Sequence, residues 1–353
     1  PNQDIENLHL YWDVFPTLQK NLFKPLREGY SEGVFDASDV KTAILNHDEF
    51  KAFATESLEP FKAWKEASNL QSIAIGDQPK EWINTISHTL LESYAKVPLL
   101  NKYDVYQILM DYWAETMQDD LYILTQGGWG EGRLIREIFP KKVKNQNKWP
   151  EVHDFEFNKK RYVADVIPRE SVVSRYFADE QKEVDAAQAI FDEATATLES
   201  YYEEHSGEEG LLVGAMNDKD AFTKTSINAR LKVATDQDEL AVLKQAIKLM
   251  DAESRAKSKM KKLQEALDLA TFKKYSELSD AECQRLIVED KWLAHLERNI
   301  VAEIERVTQQ LANRVKELEE RYAKTLPAIE KSVGRLSEKV EAHLKAMGLE
   351  WAR

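Results

Sequence analysis

Cysteine is nearly missing from this chain: Cys283 is the single one among 353 residues. An intrachain disulfide is therefore excluded, which fits a reducing cytoplasm. Long apolar runs are missing too. None approaches the roughly 18–20 residues of a membrane-spanning helix, so a bilayer-crossing chain is not expected. Basic residues are in deficit, with 48 Lys and Arg against 62 Asp and Glu and a net charge of −14. Proteins that hold DNA mainly through their own surface are usually basic, because phosphate neutralisation supplies most of the affinity. An acidic chain fits a DNA-acting assembly best when another subunit makes most of the contacts. Proline is absent between Arg169 and Leu326. Since proline breaks a helix interior at a cost of roughly 3 kcal/mol, that tract is open to long helices. The chain begins at Pro1 with neither an initiator Met nor a signal-peptide apolar region, the pattern expected of a cut or processed product.

What is present, 43% hydrophobic and 31% charged residues, specifies a globular or coiled chain with room for two or three domains. Residues 1–119 read as short helices. Asp4 caps one that carries Ile5, Leu8 and Trp12; Asp36 and Ser38 precede Val40, Ile44 and Leu45; Ile83, Ile86, Leu90 and Tyr94 repeat at helical spacing. Asn101 caps a run with Val105, Leu109, Tyr112 and Trp113, and Pro16 and Pro25 interrupt the earlier part. Residues 120–167 change period. Leu121 and Ile123 before Gly127-Gly128 predict a strand and turn. Phe155 and Phe157, the turn residues Asn158-Lys159, then Tyr162-Val163 predict a hairpin in a small antiparallel sheet.

Residues 168–353 predict long helices. Pro168 opens one with Val173, Phe177, Val184, Ala187, Phe191, Leu198 and Tyr201 on a seam, and Gly207 and Gly210 end it. Thr225 to Leu231 is a short connector. A second seam starts at Leu240, Leu243, Ile247 and Met250, loses phase in a Lys-rich stretch, and resumes at Leu263 and Leu267. A third runs through Ile300, Ile304, Val307, Leu311, Val315, Leu318 and Tyr322. Pro327 breaks it, and a last helix carries Ile329, Val333, Leu336, Val340 and Leu344. The expected fold is mainly α: an N-terminal helical region, a small antiparallel β insert, and C-terminal long antiparallel helices or a coiled coil. Each seam requires cover, from this chain or a partner. Ile304, Val307, Leu311, Val315, Leu318 and Tyr322 are the expected partner interface, with intrachain core the competing reading.

Chemistry-bearing patterns are sparse. Gly127-Gly128-Trp129-Gly130-Glu131-Gly132 lacks the Lys-Ser/Thr of a phosphate loop and reads as a turn. His47-Asp48-Glu49 and Glu203-Glu204-His205 lack metal-ligand spacing. Asp119-Asp120, at the end of a helical pattern, reads as a solvated pair, and Cys283 has no neighbouring histidine. No catalytic, cofactor-binding or metal residue is assigned. Two basic stretches, Arg255, Lys257, Lys259, Lys261 and Lys262, and Lys141, Lys142 and Lys144, are either solvated faces or contacts to DNA phosphates; Lys257, Lys259, Lys261 and Lys262 are the candidates carried forward.

One segment carries a resemblance. Tyr103 to Leu124, YDVYQILMDYWAETMQDDLYIL, with Pro98-Leu99-Leu100 before it, resembles the region after the catalytic domain in modification (M) subunits of type I restriction–modification systems. Pro1-Asn2-Gln3-Asp4-Ile5, Tyr11-Trp12-Asp13-Val14-Phe15-Pro16, Ser174-Arg175-Tyr176-Phe177, Gly207-Glu208-Glu209-Gly210-Leu211-Leu212, Asp290-Lys291-Trp292-Leu293 and Arg321-Tyr322-Ala323 extend the likeness along the chain in order. The resemblance implies that the intact subunit transfers a methyl group from S-adenosylmethionine to N6 of an adenine flipped out of duplex DNA. Two M subunits would join one specificity (S) subunit, with the restriction subunit in the larger complex, and the C-terminal helices of M would pack on the helical spacers of S. This chain lacks the family's Asn-Pro-Pro-aromatic motif and its glycine-bearing cofactor loop. The expectation is therefore a noncatalytic C-terminal part that docks the catalytic core onto the specificity subunit through its long helices, has DNA as part of its assembly, and binds no S-adenosylmethionine itself. The alternatives are a stand-alone coiled-coil scaffold or homodimer, and a nucleotide enzyme using the glycine turn.

Overall fold

A computed structural model describes residues 8–28, 30–34, 39–143, 146–149, 152–207, 210–217, 221–322 and 326–347. The cap expected at Asp4 lies outside the described residues, as do Pro1, Asn2, Gln3, Ile5, Asp36, Ser38, Lys144, Glu208, Glu209 and Ala323 of the stretches above. The chain is mainly helical with small antiparallel sheets, and it divides into two compact units, 1–125 with 292–353, and 126–291.

The first unit is discontinuous in sequence. It begins with short helices α1 (His9–Trp12) and α2 (Pro16–Leu22) and a two-stranded ribbon, β1 (Phe23–Arg27) with β2 (Tyr30–Gly33). This ribbon corrects the expectation of helices alone before residue 119. Pro25 sits in β1, an edge strand where its missing N–H is tolerated. Then come α3 (Val40–Asn46), α4 (Asp48–Ala67), α5 (Pro79–Ser93) and α6 (Lys102–Tyr112). Between α5 and α6, Leu99 turns the chain in the left-handed region (φ 62), a conformation a bulky side chain rarely takes. The Asn101 side chain caps α6 by accepting from the Tyr103 N–H at 3.1 Å. A π turn, Trp113–Met117, leads into α7 (Gln118–Gly127).

That last helix corrects the strand expected at Leu121 and Ile123. Trp113, Met117, Leu121 and Leu124 are all buried, and their spacing of four, four and three continues one helical face; the alternation Leu121-x-Ile123 spans too few residues to compete. The unit closes with α13 (Ala294–Tyr322), which packs against α3, α4 and α6, and with α14 (Leu326–Ala346).

The second unit holds a three-stranded sheet, order β3-β7-β6, from β3 (Ile135–Ile138), β6 (Phe155–Phe157) and β7 (Lys160–Ala164), and a ribbon of β4 (Lys141–Val143) and β5 (Gln146–Lys148). The expected hairpin is β6–β7. Asn158 and Lys159 both take positive φ, 51° and 66°, as its two-residue turn requires. Phe155, Phe157 and Tyr162 meet Phe272, with ring centroids 5.2–5.5 Å apart, which seats the sheet on the long helix α11 (Gln237–Glu277). Before it lie α8 (Arg169–Tyr176), α9 (Ala178–His205) and α10 (Lys224–Leu231); α12 (Asp280–Arg285) and a π turn, Leu286–Leu293, follow. The chain breaks at Phe177, so the seam starting at Val173 belongs to two helices instead of one. α9 packs against α11, with Val173, Val184 and Leu267 buried at one end and Leu212, Ala215, Ile227, Leu243 and Ala246 at the other. α11 runs unbroken through the Lys-rich stretch.

Candidate functional site

In the first unit, Trp292 is fully buried and donates its indole N–H to Asp120 Oδ2 at 2.8 Å. Asp120 is 3% exposed, whereas Asp119 points to solvent. The expectation that both are solvated is corrected: Asp120 falls on the helix face that continues Met117 and Leu124, and the indole satisfies it there. Three residues beyond Trp292, His295 stacks on Tyr112, with centroids 3.9 Å apart and planes at 13°. Burial, then the Asp120 charge, pushes the Tyr112 hydroxyl up; burial, then Arg298, lowers His295, which favours the neutral imidazole in the stack. Both π turns contribute a buried tryptophan, Trp113 and Trp292. π turns often mark functional positions. Here the acceptor is engaged and the imidazole stacked, so the cluster orders α6, α7 and α13.

The second unit has a comparable knot. Arg175 forks onto Asp290 at 2.5 and 2.6 Å and reaches Glu289 at 3.4 Å. Tyr176 donates to Glu282 at 3.0 Å, and Lys274 contacts the same oxygen at 3.2 Å. Glu282 also closes the capping box of α12, accepting from the Ser279 N–H at 2.9 Å and hydroxyl at 2.8 Å. The Ser279 N–H and hydroxyl, then Lys274 and Tyr176, hold the Glu282 carboxyl down at about 2.

The remaining candidates resolve as follows. Trp129–Arg133 is a short 3₁₀ turn against α12, with Arg133 donating to the Leu278 carbonyl at 2.7 Å. His47 caps α4, and Glu49 accepts the N–H groups of Thr17 and Leu18 at the start of α2. His205 packs edge-on against Tyr201. Among the described residues no group of three or more His, Cys, Asp or Glu is placed to hold a metal. Cys283 is buried, and burial pushes its thiol up to about 11. A broadly open cavity of about 450 Å³ is lined by Glu193, Ala196, Thr197, Ser200, Tyr201 and Glu204, all from α9.

The expected partner interface is largely core. Ile304, Val307, Leu311, Val315 and Leu318 are each no more than 4% exposed and covered within this chain, which corrects their assignment to a partner; Tyr322 is 43% exposed. The apolar face left open is the next one, on α14: Ile329, Val333, Leu336 and Val340 are 41–56% exposed. The four candidate lysines separate. Lys257 lies over the Phe191 ring at 5.7 Å and Lys261 pairs with Glu265 at 3.6 Å, while Lys259 and Lys262 are exposed on another face of α11.

No protein-family model, curated protein or solved structure matches the chain. Among the described residues no helix is long and apolar enough to cross a membrane.

Proposed function

We propose that this chain is the noncatalytic C-terminal part of a type I M subunit and that it docks its parent's catalytic core onto the cytoplasmic assembly through α14. The observation that supports this reading is the apolar face of α14, four side chains at helical spacing that stay exposed while the neighbouring α13 stripe is buried. An amphipathic helix of 21 residues is the form in which helix-in-groove recognition is built. Following the resemblance, the partner is a helical spacer of the specificity subunit, with the restriction subunit and DNA present in the complete complex. S-adenosylmethionine belongs to the parent's catalytic domain.

The test is co-purification with a type I specificity subunit. Wild type is expected to be retained, and Val333→Asp with Leu336→Asp to be lost while the thermal melt is unchanged, since substitutions at exposed positions stay within about 0.5 kcal/mol. A chain that ignores the specificity subunit but forms a salt-insensitive homodimer by light scattering supports the stand-alone scaffold instead.

A further inference from the structure

α11 has a face that the hairpin with α9 leaves unused. Projected at the about 100° per residue of an α-helix, Lys244, Lys248, Arg255, Lys259, Lys262 and Lys273 fall within roughly 60° of one another. The buried residues Ala246, Thr271 and Tyr275 lie on the opposite side. All six cations are exposed, and none has an ion-pair partner among the described residues. Two carboxylates border the stripe. Asp251 is taken by Lys224 from α10, and Glu277 is the last residue of the helix. At about 1.5 Å per residue the stripe is about 43 Å long, more than one turn of duplex DNA, about 34 Å. The charge of −14 on the whole chain does not cancel it. At physiological salt, exposed charges farther than about 8 Å are screened, so a ligand on this face meets the local cations.

We propose that this face of α11 binds duplex nucleic acid through its phosphate backbone, without sequence preference. A row of exposed cations along one side of an unbroken helix is complementary in charge to the phosphate backbone of a polyanion. The stripe bears no aromatic side chain, so it offers no platform for stacking single-stranded bases. The apolar side of α11 is committed to α9 and to the sheet, and Leu269, 44% exposed beside the stripe, is too little apolar surface for insertion into a lipid surface. Phosphate contacts alone position a duplex and do not read it. The inference stands on α11 and is independent of the docking assigned to α14.

The experiment is fluorescence anisotropy of the full chain with a labelled mixed-sequence duplex between about 50 and about 200 mM salt. Six phosphate contacts predict a loss of affinity of roughly a thousandfold across that range. The variant Lys248→Gln, Arg255→Gln, Lys259→Gln, Lys262→Gln is expected to bind more weakly and to lose only roughly tenfold, with an unchanged thermal melt. Lys257→Gln with Lys261→Gln, off the stripe, is expected to keep the wild-type slope. Any of three results overturns the proposal: no duplex binding at low salt, a wild-type slope in the fourfold variant, or preference for single strands, phosphatidylserine vesicles or polyglutamate over duplex.

Discussion

Two buried polar contacts show what individual residues contribute. Truncating Asp120 leaves the Trp292 N–H buried without an acceptor, and a lost buried partner costs about 1–3 kcal/mol. Asp120→Ala is expected in that range by urea unfolding, with Asp120→Asn milder because the amide oxygen still accepts; a loss below about 0.5 kcal/mol would show that the indole bond contributes little. Glu282 sets a pH dependence of definite sign. Its carboxyl stays ionised down to about 2 in the fold against 4.5 for the free side chain, so its contribution is complete above 4.5 and lost as pH falls toward 2. An acid titration of stability should steepen across that window in wild type and flatten in Glu282→Gln; equal slopes would count against the four-donor cradle. Neither contact was legible in the sequence. Adjacent aspartates beside a helical run normally face water, and the partners Trp292 and Tyr176 lie 172 and 106 residues away along the chain.

Among the elements, α13 and α14 make opposite predictions from similar sequence patterns. Both repeat apolar residues at helical spacing, and periodicity alone gives no reason to bury one stripe and leave the other exposed. Leu311→Ala, in the buried stripe, is expected to destabilise the first unit by about 2–5 kcal/mol, and Leu336→Ala by less than about 0.5 kcal/mol, measured by chemical denaturation. Equal effects would mean that α14 is as covered as α13. Periodicity over many residues was the reliable signal for α13, the absence of proline left room for α11, and the β6–β7 turn was legible from its turn residues Asn158-Lys159. It failed where the evidence was a handful of residues, at Leu121-x-Ile123, and where pairing partners are distant, as in β3 against β7. The basic face of α11 was legible in principle. Counting consecutive lysines found Lys257 and Lys261, which face elsewhere, and passed over Lys244, Lys248 and Lys273, which only a helical projection brings into line.

At the scale of the whole molecule, each unit has buried apolar residues of its own, and residues 126–291 form one uninterrupted stretch with two buried clusters. That stretch expressed alone is expected to melt in a single cooperative transition, as a domain with its own core does; a broad, non-cooperative melt would show that it depends on the remainder. The other unit has a different history on the ribosome. Its first 125 residues are made before the whole of the second unit, and α13, which covers α3, α4 and α6, emerges only afterwards. At about 5–20 residues per second the intervening 166 residues take roughly 8–30 s to translate. Throughout that interval the faces of α3, α4 and α6 that α13 covers stay open, so the nascent chain is expected to expose apolar surface to chaperones until α13 arrives.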